Sequence, residues 1–275
     1  MTMRENVLGA IEVDLILAEL RATGAWLKAQ FGQAGIELDD MFAAFRRVDG
    51  AAATALRRRL AALYPAIGWL DIELDEPEEG LGRAARGDFW ICDAIDGAVQ
   101  YVRAIPNWCT SLTLLRDGEA VFMAVYDAMH EEMFHAQAGG AAFLNGVPIR
   151  VNGRNSHHNG VLATSQPPFA AKYPLALDYA GKSLTAVLAG VVAVRNLGPT
   201  SLQLAYVACG RLDAFWEYGP DGCNCMGAAL LVARAGGLVS EAGGARYTLG
   251  SASIVAASAG AHASLSLRLD EAVSA

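Results

Sequence analysis

One short stretch, residues 88–98, constrains this chain more than any other part of it: Asp-Phe-Trp-Ile-Cys-Asp-Ala-Ile-Asp-Gly-Ala. The apolar run at residues 89–92 predicts a buried strand. Two acids three residues apart, Asp93 and Asp96, end that run, and Gly97 then permits a turn into a helix. Carboxylate oxygens bind hard cations, and the free N–H groups at a helix start accept a phosphate. The stretch therefore predicts a metal-assisted phosphate site.

A purely structural role for the two acids is the competing interpretation, because Asp is common where a chain turns. Against it stands the cost of placing two carboxylates beside an apolar strand without a cation or hydrogen bonds. The residues alone leave both interpretations open.

The composition argues against several classes of protein. With 53% hydrophobic residues among 275, the chain has ample material for a core and is not disordered. Its net charge of −8 argues against nucleic acid or an anionic membrane as partner. The five cysteines are odd in number and lie mostly in apolar runs, which suits a reducing cytoplasm better than a disulfide framework. No run of about 18 apolar residues predicts a membrane span, so we expect a cytoplasmic protein.

The order of predicted elements indicates the fold class. Helices come first, then a meander of strands at residues 109–137, and strands alternate with helices from residue 161 onward. A meander followed by this alternation favours a layered α/β protein with two sheets. We place a boundary between an N-terminal half, residues 1–155, and a C-terminal half, residues 156–275.

Two local predictions concern helices near the expected site. The Ala- and Arg-rich pattern at residues 51–63 predicts the second helix, which Pro65 ends. Thr200 or Ser201 is expected to cap the helix that runs to Ala208.

Residues 90–98 resemble the first signature of the inositol monophosphatase family, whose members are magnesium-dependent, lithium-sensitive phosphatases. The family pattern is W-x-x-D-P-[IL]-D-G-T, and this chain reads Trp-Ile-Cys-Asp-Ala-Ile-Asp-Gly-Ala. Ala94 stands where the family has Pro, and Ala98 where it has Thr. The meander closing at residues 139–146 and the segment 195–217 are also similar to the family. The resemblance implies an alternating α-β-α-β-α sandwich with two sheets, and a homodimer.

The resemblance also implies the ligands of two or three Mg²⁺ ions, with Mn²⁺ as a substitute. Asp93, Asp96 and the carbonyl of Ile95 would hold the metals, and the N–H groups of Gly97 and Ala98 would hold the phosphate. The family adds a glutamate from the acidic segment at residues 71–79. Counting from Pro65 and from Asp93 favours Glu73, which would also position the attacking water; Asp71 and Glu76 remain alternatives.

A second block of the family, W-D-x-A-A-G ahead of L-L-V-x-E-A-G-G, is matched weakly. Residues 230–237 read Leu-Leu-Val-Ala-Arg-Ala-Gly-Gly, and counting back puts Asn224 where the family has its third metal aspartate. An amide oxygen ligates Mg²⁺ but removes one negative charge, and Asp221 is the alternative ligand. By the resemblance, Glu217 binds substrate hydroxyls and Thr200 lines the sugar side of the pocket.

These features predict a Mg²⁺-dependent phosphatase that hydrolyses a small phosphorylated polyol or sugar by attack of a metal-activated water. Losing the family's threonine hydroxyl at Ala98 is expected to lower the rate by about 10²–10³, the penalty for one transition-state partner. The alternative is a catalytically weakened family member that binds a ligand or a partner. Asn224 and Ala98 are the residues that favour it.

Overall fold

The computed structural model describes residues 11–32, 38–70 and 86–274, and the side chains of this part except those of residues 38–42. Glu73 and the neighbouring acids of the predicted metal-binding segment lie outside it. The described helices are α1 Val13–Gln30, α2 Leu38–Leu63, α3 Ala98–Val102, α4 Pro174–Leu188, α5 Thr200–Ala208, α6 Gly222–Arg234 and α7 Ala259–Ser274. None of them is long and apolar enough to cross a membrane.

The strands form two sheets. Those of the first are β1 Gly68–Trp69, β2 Asp88–Asp96, β3 Cys109–Arg116, β4 Glu119–Asp127, β5 Glu132–Gln137, β6 Ala142–Leu144 and β7 Val147–Ile149, which lie side by side in chain order. Those of the second are β8 Val161–Thr164, β9 Ala193–Arg195, β10 Ala214–Tyr218, β11 Leu238–Ser240 and β12 Ser253–Ala257, in the order β11-β12-β10-β8-β9. The first sheet is antiparallel except for β1 on β2, whereas β8 pairs in parallel with β9 and β10.

Three apolar cores bind five layers together. The first core joins α1 and α2 to the outer face of the first sheet, with Trp90 and Leu56 fully buried. The second lies between the two sheets around α5 and α6, and the third joins the second sheet to α4 and α7. This confirms the layered α/β protein with two sheets that the element order predicts, and the α-β-α-β-α sandwich that the resemblance implies. The change of sheet falls between β7 and β8; the division into halves at residue 155 stays a prediction.

Three local predictions differ from the structure. Helix α2 begins at Leu38 rather than at residue 51, so it is 13 residues, or more than three turns, longer at its N-terminal end. Strand β2 continues through both acids instead of ending before them. The residue that precedes α5 is Pro199, and no side chain there caps the helix, because the hydroxyls of Thr200 and Ser201 bind carboxylates instead.

Candidate metal and phosphate site

A β-bulge puts the two acids of β2 on the same face of the sheet. Residues three apart on a regular strand point to opposite faces. Here Asp93 pairs with Ser111 and Asp96 with Cys109, so three steps on β2 match two on β3. The hydroxyl of Thr110 donates to the carbonyl of Ala94 at 2.8 Å and holds the extra residue in place. Such bulges re-aim side chains, and this one makes Asp93 and Asp96 neighbours.

Both acids open onto a cavity of about 670 Å³ at the end of β2. Its walls come from α2, β2, the turn into α3, and the first turn of α6. The site residues predicted from the sequence that line it are Asp93, Ile95, Asp96, Gly97, Ala98 and Asn224. The structure thus brings together six of the predicted residues.

The turn from β2 into α3 depends on Gly97. Its φ is +100°, a conformation that side chains other than glycine's rarely adopt. A Cβ at this position would also lie 2.8 Å from Cγ of Pro199 and 3.2 Å from Cβ of Trp108. Glycine therefore lets the chain leave the strand directly after Asp96 and expose the backbone of Gly97 and Ala98 to the cavity.

Asp96 is held at the start of α5. Its Oδ2 accepts hydrogen bonds from the hydroxyl of Ser201 and, at 3.2 Å, from the N–H of Ser201. The residue as a whole is 6% exposed. Burial raises its pKa to about 6, against the opposing effect of the Ser201 hydrogen bonds. The side chain is therefore fixed in position, although burial disfavours its charged form.

Burial disfavours the charged forms of Asp93 and Asp49 as well. Oδ1 of Asp93 accepts the N–H of Ile95 at 3.1 Å. Burial raises the pKa of Asp93 well above its usual value, and the charges of Asp96 and Asp49 raise it further. Burial likewise raises the pKa of Asp49, and its Oδ1 is buried with no hydrogen-bond partner in the described part of the chain. Desolvated acids that repel one another gain most from a bound cation.

Glu217 and Thr200 form a second group behind the first. The hydroxyl of Thr200 donates to Oε2 of Glu217 at 3.2 Å, and the hydroxyl of Ser165 lies 3.4 Å from that of Thr200. Glu217 is 2% exposed, and burial raises its pKa well above the usual value. Thr200 is followed directly by Ser201, the partner of Asp96. The two predicted substrate residues therefore contact each other but do not line the acidic cavity.

Asn224 and Asp221 meet at the first turn of α6. Nδ2 of Asn224 donates to Oδ1 of Asp221 at 2.8 Å. Burial raises the pKa of Asp221, and its charge in turn raises the pKa values of Asp93, Asp96 and Glu217. Asp221 therefore supplies, close to Asp93 and Asp96, the negative charge that Asn224 lacks.

Two residues of this site were not predicted from the sequence as partners of the acids: Asp49 and Ser201. Asp221 was predicted as the alternative to Asn224. Asp49 had a usable signal. It lies three and seven residues before the buried Ala52 and Leu56, so it is an acid on the apolar face of α2. Ser201 had none, because its contact with Asp96 spans 105 residues.

The donor set fits a divalent cation through its chemistry. Oxygen ligands in a poorly solvated, negatively charged pocket are what Mg²⁺ binds. Within residues 11–32, 38–70 and 86–274, no three His, Cys, Asp or Glu side chains form a group that could hold a metal ion. The expected ligand set goes beyond such a group, because it includes Glu73, the carbonyl of Ile95 and the amide of Asn224.

Comparisons with known proteins agree with the fold and the motif. The profile of the Inositol monophosphatase family matches residues 17–274. A Rhizobium meliloti protein named inositol-1-monophosphatase is 33% identical over 213 residues, which cover 76% of each chain. A Pseudomonas aeruginosa protein named Nus factor SuhB is 36% identical over 179 residues, which cover 65% of each chain.

A solved structure gives the same answer at the level of the whole fold. The extragenic suppressor protein SuhB of Bartonella henselae superposes with a TM-score of 0.79 at 25% identity, covering 94% of this chain and 98% of that one. The sandwich is thus that of a phosphatase fold whose acids gather at the end of β2. The chain belongs to the inositol monophosphatase family.

Proposed function

We propose that this protein is a Mg²⁺-dependent phosphatase acting on a small phosphorylated polyol or sugar. The observation that carries the proposal is the bulge-aligned pair Asp93 and Asp96, which faces one cavity together with Asp49. Three acids with raised pKa values would repel a phosphate unless a cation lay between them. Family membership supplies the same reaction class.

Each residue has a defined part in this proposal. Asp93, Asp96, the Ile95 carbonyl, Glu73 and Asn224 would hold two or three Mg²⁺ ions, or Mn²⁺ in their place. Bound there, the ions would polarise the phosphoryl group and lower the pKa of the attacking water.

The remaining residues bind and orient. The N–H groups of Gly97 and Ala98 would bind the phosphate, and Glu73 would position the water. Glu217 would bind a substrate hydroxyl through Oε1, which has no partner in the described part of the chain. Burial raises the pKa of this carboxyl group well above its usual value.

Phosphate release tests the proposal directly. The panel comprises inositol 1-phosphate, a sugar bisphosphate and a nucleotide bisphosphate, each with and without Mg²⁺. We expect Mg²⁺-dependent turnover of at least one of them, and its loss in Asp93→Asn. Asp178→Asn removes the same charge from an exposed site on α4 and should leave turnover unchanged. Absence of turnover on every substrate, in protein whose circular dichroism shows it folded, would refute the proposal.

The second candidate function is binding of a ligand or a partner without efficient catalysis. Ala98 lacks the hydroxyl that the family uses beside the attacking water, and several relatives are named Nus factor SuhB, not after a reaction. Titration calorimetry with Mg²⁺ separates the two candidates. Tight Mg²⁺ binding by the wild type favours the phosphatase, whereas binding and activity that appear only in Asn224→Asp favour the second candidate.

We also propose a cytoplasmic homodimer that does not bind nucleic acid. The negative net charge and the five free cysteines support this environment. Exposed apolar side chains such as Leu188 and Val192 offer surface for a partner subunit. Sedimentation velocity measures the subunit number, and a monomer at micromolar concentration would contradict the dimer.

A further inference from the structure

A second cavity, larger than the acidic one, lies on the opposite face of β10. It encloses about 770 Å³ between the start of α4, the end of α7, and the turns after β10 and β11. Glu217 points to the side of α5, where Thr200 binds it, whereas the next residue, Tyr218, packs toward Tyr179 of α4. The sheet therefore lies between most of the second cavity and the phosphate site, and the two cavities adjoin at Cys223, which lines both.

Aromatic rings form much of its wall. Tyr179 and Tyr218 meet edge to face with ring centroids 5.6 Å apart. Phe169 and Tyr173 also line the cavity. Ligand cavities in proteins commonly enclose about 300–1,000 Å³ and combine apolar walls with a few polar groups. This cavity matches that description in both size and lining.

The charges around the cavity are mostly negative. Asp221, Glu241 and Asp270 lie in its wall, against one cation, Lys172. The ammonium group of Lys172 lies 5.8 Å from the ring centroid of Tyr173. A cation attracted by an aromatic face is thus already part of this wall. Carboxylates beside aromatic faces are the surroundings that favour organic cations.

Tyr218 gives an independent indication of a ligand. Its side chain lines the cavity and is 5% exposed. Its hydroxyl is buried and finds no hydrogen-bond partner within the described residues. Burial and the nearby charge of Asp270 raise its pKa to about 12, so the hydroxyl keeps its proton. Buried hydroxyls without a partner are uncommon in folded proteins, and a bound polar group would satisfy this one.

We propose that this cavity binds an organic cation, a quaternary or tertiary ammonium group carried on an apolar body. The aromatic rings would enclose the apolar body, and Asp270 and Glu241 would attract the charged group. The site adjoins the proposed phosphatase site at Cys223, and binding there does not depend on phosphatase activity.

The test uses three soluble probes and the full chain. Benzyltrimethylammonium carries both the charge and an aromatic body. Choline and 3,3-dimethylbutan-1-ol have nearly the same shape, but only choline is charged. Binding is followed by nuclear magnetic resonance titration of the labelled protein. We expect saturable binding of benzyltrimethylammonium, shifts of the Gly243 amide and the Tyr218 ring, and choline binding about tenfold tighter than the alcohol.

Variants tie the binding to this cavity. Asp270→Asn should weaken benzyltrimethylammonium binding about threefold or more, whereas Asp178→Asn, with the same change of net charge outside the cavity, should not. A Cβ on Gly243 would meet nothing within 4 Å, so Gly243→Trp can fill the cavity and should abolish binding.

Four results would overturn the proposal. These are absence of saturation at millimolar probe, equal affinity for choline and the alcohol, equal effects of the two aspartate variants, and full binding by folded Gly243→Trp. If Gly243→Trp fails to fold, the comparison of Asp270→Asn with Asp178→Asn still decides the question, because both substitutions are on exposed helix surfaces.

Discussion

Gly227 sets how closely α6 approaches the first sheet, so its replacement by alanine tests how the site is assembled. A Cβ at this position would overlap the hydroxyl of Thr113 and the sulfur of Met123, and would lie 3.1 Å from Cβ of Thr113. Both neighbours are buried and bound to each other, with the hydroxyl 3.1 Å from the sulfur. Asn224 lies one helical turn earlier on α6 and lines the acidic cavity. Gly227→Ala should therefore push the helix, and Asn224 with it, away from Asp93.

Two opposing effects decide the magnitude. Alanine stabilises a helix interior by about 1 kcal/mol relative to glycine. Forcing an extra methyl group into a closely packed core costs about 1–3 kcal/mol, or more where the neighbours cannot move. We expect the packing cost to exceed the gain in helix propensity. The free energy of unfolding should then fall by about 1–2 kcal/mol and the melting temperature by roughly 2–8 °C.

Gly181→Ala is the matched control. Gly181 lies in α4, is exposed, and a Cβ there would meet nothing within 4 Å. The same chemical change should stabilise this helix by about 0.5–1 kcal/mol. Calorimetric melting of both variants, and Mg²⁺ titration of Gly227→Ala, measure the effects. If Gly227→Ala melted as high as wild type, or bound Mg²⁺ equally well, α6 would not be positioned by this contact and the reasoning would fail.

The remaining predictions concern the acids and the turn. The pKa of Asp96 rises from 3.8 to about 6 on folding, so between these pH values the folded state binds more protons than the unfolded state. The contribution of Asp96 to the free energy of unfolding therefore increases as pH falls through this window. Asp96→Asn should therefore raise the free energy of unfolding near pH 7.5 by up to about 3 kcal/mol and change it little near pH 4, as denaturant titration at the two pH values measures. Ser201→Ala removes a hydrogen bond that lowers the pKa of Asp96; carboxyl resonances should titrate at higher pH, and an unchanged titration would contradict the assignment. Ala98→Thr restores the hydroxyl that the family uses, and should raise the rate of phosphate release by about 10²–10³ with Mg²⁺ affinity unchanged.

The sequence predicts the layers well because they follow from local patterns. The meander at residues 109–137 alternates clearly, and strands β3, β4 and β5 fill that predicted range from its first residue to its last. Helix α2 is the exception. Its first half has apolar residues at helical spacing among acids and arginines, and Phe45 and Val48 pack against the same core as Ala52. That spacing could have predicted the longer helix, but only the Ala-rich half from residue 51 was predicted.

The site is predicted only where it is local. The spacing of Asp93, Asp96 and Gly97 is visible in one stretch, whereas the contacts that complete the site join distant segments. The bulge depends on how β2 pairs with β3, which no pattern within β2 reveals. Asp49 precedes the signature by about 40 residues, and Ser201 follows it by about 100. Counting back from residues 230–237 identified Asn224, but only the fold brings the charge of Asp221 close to Asp93.

The bulge in β2 makes the spacing of the two acids a matter of chain length, not of side-chain identity. Ala94 can replace the family's proline because the number of residues between Asp93 and Asp96 is unchanged. Deleting Ala94 would leave the two acids two residues apart, and on a regular strand such residues point to the same face, so the pair would survive the loss of the bulge. A residue inserted beside Ala94 would instead add one step and send one carboxylate to the far side of the sheet, although every acid would still be present. An insertion should therefore be more damaging here than this deletion, and a scan of single insertions and deletions would measure the difference.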